Sequence, residues 1–240
     1  MTDLADLNAM TADELAAALS AAPEQQAALL RVAAEGGAVE AQLRLGQLLL
    51  DGDGVAAAPA DALRWFSRAA TAGHPMGMNM VGRCLEHGWG TAADTTQAAA
   101  WYRAAADRGL DWGSYNLATL LALGKGVGED RVEALALFRR AAALGHAKSM
   151  NMVGSFHEDG WTVAVDRAAA ATWYRRAAEG GDFRGCFNLA RWLIDQGRHD
   201  AAIPWLRRMA ETATPRFLAQ VRAWLVARDE AMLRDLALDL

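Results

Sequence analysis

Lysine is almost missing from this chain: Lys125 and Lys148 are the only two, and arginine carries the rest of the positive charge. Basic residues number 24 against 29 acidic ones, giving a formal net charge of -5 and a pI near 5.5. Without clustered cations, a nucleic-acid backbone is excluded as the main ligand. No apolar run approaches the roughly 18 residues that a membrane-spanning helix needs, so no membrane partner is expected. The first 20 residues are acidic at Asp3, Asp6, Asp13 and Glu14 and lack a basic stretch followed by an apolar core, which argues against a secretory leader. Catalytic signatures are missing as well. There is no nucleophile elbow, phosphate loop or dinucleotide fingerprint, and Gly124-Lys125-Gly126 does not have P-loop spacing. No cofactor and no metal are expected.

What the chain does have is repetition. Gly82, Ala98, Trp101, Tyr102, Ala105 and Gly109 return 36 residues earlier as Gly46, Ala62, Trp65, Phe66, Ala69 and Gly73. They return downstream as Ala118, Ala134, Leu137, Phe138, Ala141 and Gly145, then as Gly154, Ala170, Trp173, Tyr174, Ala177 and Gly181. A fixed period in the range of about 20 to 50 residues marks a solenoid, in which each unit touches only its neighbours. One elongated domain is therefore expected. Apolar residues make up 53% of the chain, and alanine supplies much of that, which suits close helix packing. Cys84 and Cys186 are the only cysteines. They fall about three repeats apart in a fold of local contacts, so no disulfide is expected and a cytoplasmic setting fits.

Each repeat reads as two helices. First helices are expected near 39–51, 75–87, 111–123, 147–159 and 183–196, and second helices near 60–72, 95–108, 131–144, 167–180 and 200–212. Glycine turns such as Gly52-Asp53-Gly54 and Gly88-Trp89-Gly90 separate them, where the backbone needs positive φ beyond a helix end. Asp94, Asp130 and Asp166 recur just before second helices, as N-caps do. Pairs of small residues, Gly46 with Ala62, Gly82 with Ala98, Ala118 with Ala134 and Gly154 with Ala170, are expected where the helices of a pair cross, with the aromatic stripes forming core. The fifth unit is shorter, with Gln196-Gly197-Arg198 as its turn. Ahead of the repeats, residues 11–36 read as two helices, the first capped by Thr11 or Asp13 and the second opening at Pro23. After the repeats, Pro215 opens a helix bearing Phe217, Val221, Trp224 and Leu225, with a further helix in the tail.

Gly124-Lys125-Gly126-Val127-Gly128-Glu129-Asp130, the Ala–aromatic–Ala-Ala core and the closing glycine resemble the Sel-one-like repeat family, relatives of the tetratricopeptide repeats. The resemblance covers roughly residues 37–212. Thr91 replaces the loop valine, Ala58 the loop aspartate and Leu137 the tryptophan in single units. The family implies an all-α, α/α superhelical solenoid of about five helix-turn-helix repeats with helical caps at both ends. On that basis the chain divides into a cap and half-repeat at 1–36, repeats at 37–212 and a cap at 213–240. The implied function is a non-enzymatic adaptor or scaffold.

In related helical repeats the first helices line the concave face. The inward positions are then Leu43, Asn79, Tyr115, Asn151 and Phe187, and one turn on Gln47, Arg83, Thr119, Ser155 and Arg191. Asp51, His87, Leu123, Asp159 and Asp195 form the rim. This mixed polar and aromatic strip suits a protein or peptide segment better than an enclosed small molecule. Met78-Asn79-Met80-Val81-Gly82 recurs 72 residues on as Met150-Asn151-Met152-Val153-Gly154, through ancestral duplication or as a pair of equivalent contact points. Trp89 and Trp161 sit in turns, where each either folds back on its own repeat or anchors a partner. The expected contact set is Asn79, Arg83, His87, Trp89, Trp112, Tyr115, Asn151, Trp161, Phe187 and Arg191. The expected partner is a protein or peptide, with the chain itself a monomer.

Two other readings stand beside the scaffold. The acidic balance suits a dedicated inhibitor or immunity-type partner of one basic enzyme. Glu86-His87 and His157-Glu158-Asp159 suggest a weak metal-dependent hydrolase, but they occupy different repeat positions and lack HExxH spacing. His74 and His146 share one repeat position and are expected to help start the following helix. Cys84 reads as a packing cysteine.

Overall fold

A computed structural model describes residue 5, residues 23–228 and residues 230–240. The helix expected from residue 11, with its cap at Thr11 or Asp13, lies outside them. The described residues form thirteen helices and no strand: α1 (Pro23–Glu35), α2 (Val39–Asp51), α3 (Pro59–Thr71), α4 (Pro75–His87), α5 (Thr95–Asp107), α6 (Asp111–Leu123), α7 (Arg131–Ala143), α8 (Ala147–Asp159), α9 (Arg167–Glu179), α10 (Phe183–Asp195), α11 (His199–Thr212), α12 (Pro215–Val226) and α13 (Ala231–Asp239). The expected all-α repeat of helical pairs is what the chain adopts. Boundaries agree with the periodicity to within a residue, and the tail supplies both expected helices.

Helix ends follow local chemistry. First helices α2, α4, α6 and α8 all stop at a glycine in the left-handed region, Gly52, Gly88, Gly124 and Gly160. A side chain there would strain the backbone whatever space surrounds it. Asp94 and Asp166 cap α5 and α9 by accepting from the amides of Gln97 and Ala169 at 2.9 and 2.8 Å. The Gln97 amide, with the Gln97 side chain, holds the Asp94 carboxyl below its usual value. Asp182 caps α10 through the Gly185 amide at 2.8 Å, and there burial dominates and pushes the carboxyl up. His146 caps α8, accepting from the Ser149 amide at 3.2 Å, whereas His74 makes no side-chain cap and pairs with Glu40 at 3.1 Å.

The chain forms two compact units, one through Asp130 and one from Arg131. In the first, α1 to α6 pack each on the next in sequence, and α4 also touches α6. Its core gathers Leu45, Leu49, Ala62, Trp65, Phe66, Met78, Val81, Cys84 and Ala105. In the second, α7 to α11 pack in the same serial fashion, α8 touches α10, and α12 packs on α13. There Tyr174, Leu189, Leu193, Leu206, Met209, Val221, Leu225, Leu233 and Leu236 share one core.

The glycines of the small-residue pairs also make room for a ring. A Cβ on Gly82 would stand 2.7 Å from the Tyr102 ring, and Cβ atoms on Gly46 and Gly154 would stand 2.6 and 2.5 Å from the rings of Phe66 and Tyr174. What the glycine admits is therefore chiefly the aromatic ring of the second helix, with the Ala98 carbonyl next nearest at Gly82. A second set of glycines makes the tight backbone approach between repeats. At Gly77, Gly113 and Gly185 a Cβ would meet the Ala70, Ala106 and Ala178 nitrogens at 2.6, 2.8 and 2.9 Å.

Candidate partner-binding face

The first unit carries six of the residues expected to meet a partner. Asn79 lies on α4 but is only 3% exposed, and its side-chain oxygen accepts from Asn116 of α6 at 2.8 Å. A buried amide needs such a partner, so this side chain ties consecutive first helices together instead of facing outward. Arg83, one turn later, is half-buried and lays its guanidinium over the Trp89 ring at 5.0 Å. The exposed His87 ring lies 4.7 Å from the same indole. Trp89 thus folds back on α4 between two side chains of its own repeat. Trp112, 36% exposed, meets Tyr115 edge to face at 6.0 Å on α6.

The second unit repeats part of this arrangement. Asn151 is 6% exposed and accepts from Asn188 at 2.9 Å, again across 37 residues of sequence, as Asn79 does from Asn116. Trp161 is 41% exposed, with one side against Phe156 at 4.9 Å and the Arg131 guanidinium 5.4 Å from its centre. Phe187 packs edge to face against Phe217 and Trp224 of α12, at 5.6 and 5.3 Å. Helix α12 therefore contacts the side of α10 that carries Phe187.

Arg191 is fully engaged. It donates to both oxygens of Glu158, at 2.8 and 2.6 Å, and the Tyr174 hydroxyl donates to the same carboxylate at 2.7 Å. Burial works against the Glu158 charge, yet the hydrogen bonds from Arg191 and Tyr174 and the charges of Arg191 and Arg167 outweigh it and hold the carboxyl below its ordinary value. Arg191 is held charged in return: burial opposes it, and Glu158 more than compensates. Burial, reinforced by the carboxylate it faces, pushes the Tyr174 phenol up. In the first unit Tyr102 donates to Glu86 at 2.7 Å and its phenol is pushed up by the same causes.

Glu86, Tyr102, Asn116, Glu158, Tyr174 and Asn188 make these hydrogen bonds and are absent from the expected contact set. Their signal lay in the 72-residue recurrence, which carries Glu86 to Glu158, Tyr102 to Tyr174 and Asn116 to Asn188. The residues of the hydrolase reading have these other engagements: Glu86 with Tyr102, Glu158 with Arg191 and Tyr174, and His157 within 3.4 Å of Arg139. Among the described residues no three metal-ligating side chains converge. Cys84 and Cys186 are free and buried, and burial pushes the Cys84 thiol up to about 11, above the range of a reactive thiolate. No helix among the described residues is long and apolar enough to cross a membrane.

Sel1 repeats match residues 39–74, 75–110, 113–146 and 147–182, more than half of the chain. Among curated proteins none matches it. Among solved structures, a Sel1 repeat protein from Oxalobacter formigenes is 24% identical, with a TM-score of 0.72 over 84% of this chain and 87% of that one. The immunity protein Pa5087 from Pseudomonas aeruginosa is 20% identical, with a TM-score of 0.55 over 81% of this chain and 79% of that one. PA5086 from the same organism is 17% identical, with a TM-score of 0.56 over 77% and 74%. At these identities the likeness is one of fold. Proteins built of Sel1 repeats generally mediate protein–protein interaction. The matched helical pairs, in register along the chain, place this protein in the Sel1 repeat family.

Proposed function

We propose that the chain is a non-enzymatic, cytoplasmic scaffold or adaptor that holds a protein or peptide segment on the first-helix side of its repeats. The observation that carries this reading is a pair of aromatic rings in the first unit, Trp112 beside Tyr115 on α6; in the second unit Trp161, in the turn after α8, stands 41% exposed against Phe156. Large amphipathic rings fixed by their neighbours make good anchors, because little conformational freedom is lost on binding. The exposed His87 contributes a polar rim contact, Arg83 and Trp89 support it by stacking within their own repeat, Arg191 holds Glu158, and Asn79 and Asn151 act from beneath by fixing the spacing of successive first helices. In the second unit Phe187 is held by Phe217 and Trp224 of α12. Cytoplasmic placement rests on the two buried free thiols.

A dedicated inhibitor of one basic enzyme is the second reading. It is favoured by the net charge of -5 and by the use of this fold in a protein named as an immunity protein. Affinity purification of the tagged chain from its host, followed by mass spectrometry, separates the two. Several companions are expected for a scaffold and a single stoichiometric one for an inhibitor. Trp112→Ala combined with Tyr115→Ala is expected to abolish recovery of the companions while leaving the helical circular dichroism intact. Unchanged recovery with these substitutions would overturn the proposed face.

A further inference from the structure

The 72-residue recurrence contains one incomplete copy. In the second unit, the Glu158 carboxylate of α8 receives a hydroxyl from Tyr174 of the following helix and a two-pronged guanidinium from Arg191 of the next first helix. In the first unit, Glu86 of α4 receives the equivalent hydroxyl from Tyr102 at the same 2.7 Å. The donor of the pair in the second unit comes 33 residues after its acid. That step from Glu86 leads to Thr119, whose hydroxyl instead donates to the Tyr115 carbonyl at 2.9 Å. The same 33-residue step joins Asp195 to Arg228, in the turn after α12, at 3.3 Å, a second case of an acid near the end of a first helix met by an arginine from further along the chain. Arg83, the nearest arginine on α4, has its guanidinium over Trp89. The side-chain hydrogen bond that Glu86 receives here is the one from Tyr102.

We infer that Glu86 is the seat for an arginine side chain of the bound segment, which enters beside Thr119 as Arg191 does beside Glu158. This deepens the interaction reading and rests on it. Four features favour a guanidinium. The carboxylate is already oriented by a buried phenol, so little freedom remains to be lost. Arginine's planar fork matches both oxygens at once, as Arg191 shows within this chain. Along α6, Trp112, Tyr115 and Thr119 follow one another at the three- and four-residue spacing that shares a helix face, so a segment entering beside Thr119 and running toward the start of α6 would meet the Trp112 ring. The net charge of -5 suits a basic segment.

The experiment is selection of random linear peptides displayed on phage against the full chain, followed by affinity measurement with three variants. Glu86→Gln removes the charge but keeps an acceptor for Tyr102. Thr119→Arg supplies the guanidinium from within. Asp61→Asn, on the exposed Asp61–Arg64 pair of α3, makes the same charge change elsewhere. Selected peptides are expected to carry arginine, and replacing it by citrulline, Glu86→Gln and Thr119→Arg are each expected to weaken binding by about tenfold or more, with Asp61→Asn within about twofold. Thr119→Arg is also expected to melt no lower than the parent chain, which keeps the test valid should Glu86→Gln unfold. Peptides that bind without arginine, or whose binding ignores Thr119→Arg, would remove the arginine seat and leave the interaction reading standing. Recovery of no peptide would remove the interaction reading itself.

Discussion

At the scale of single residues, the Glu158–Tyr174–Arg191 cluster gives a direct pH test. Glu158 titrates below its ordinary value in the folded chain. A depressed acid contributes stability that is fully present above its unfolded pKa and is lost as pH falls through the folded one. Glu158→Gln is therefore expected to lower stability by about 1 kcal/mol near pH 7, since the pair is only partly screened from solvent. The gap from the parent chain should persist above the ordinary glutamate range and close as pH falls through the lowered folded value. Urea denaturation across that range checks it, and a gap that stays constant at low pH would show that the charge is not the source. Such clusters were only half legible in the sequence. Arg191, Trp112 and Tyr115 stood out because they sit at repeat positions on first helices. Tyr102 and Tyr174 read as core aromatics, and nothing in their spacing shows that the hydroxyl tip emerges beside a carboxylate. Asn79 and Asn151 were visible as a repeated pair, but their burial depends on Asn116 and Asn188 arriving from the next helix.

At the scale of the element, the helical pair was legible almost to the residue, because glycine stops, carboxylate caps and an alanine-aromatic core recur at one fixed spacing. The role of the glycine inside each first helix was not, since close backbone crossing and room for a ring leave the same small residue in the sequence. The distinction matters for substitution. In an exposed helix, Gly→Ala raises helix propensity by about 1 kcal/mol. At Gly82 the added carbon would lie 2.7 Å from the Tyr102 ring, and that ring is fully buried and tied to Glu86 by its hydroxyl. Overpacking of about 1 to 3 kcal/mol then outweighs the propensity gain, so Gly82→Ala is expected to destabilise the chain. Thermal and urea melts decide the sign. A stabilised Gly82→Ala would mean that Tyr102 yields more readily than its two anchors suggest.

At the scale of the whole molecule, a chain of repeats has no single centre, so each helix owes its stability to the neighbours it packs on, and α12 and α13 are tied in by a shared core. Leu225 of α12 and Leu233 of α13 are completely buried and share a core with Leu206 and Met209 of α11. On the adjoining surface Phe217 packs on both Phe183 and Phe187, and Trp224 packs on Phe187. Leu225→Ala is expected to cost about 2 to 5 kcal/mol, the range for emptying a fully enclosed leucine site. Leu238→Ala, at a position 83% exposed, serves as the matched control and is expected to change stability by less than about 0.5 kcal/mol. Truncation after Thr212 goes further, because it uncovers Phe183, Phe187, Leu206 and Met209 together. An apolar face of that kind seeks another copy, so the truncated chain is expected to elute as oligomers and to bind a hydrophobic dye that the full chain does not. If it instead stayed monomeric and melted with the parent, α12 and α13 would be appendages, and the aromatic contacts on Phe187 would have to be assigned to something other than closure of the repeat stack.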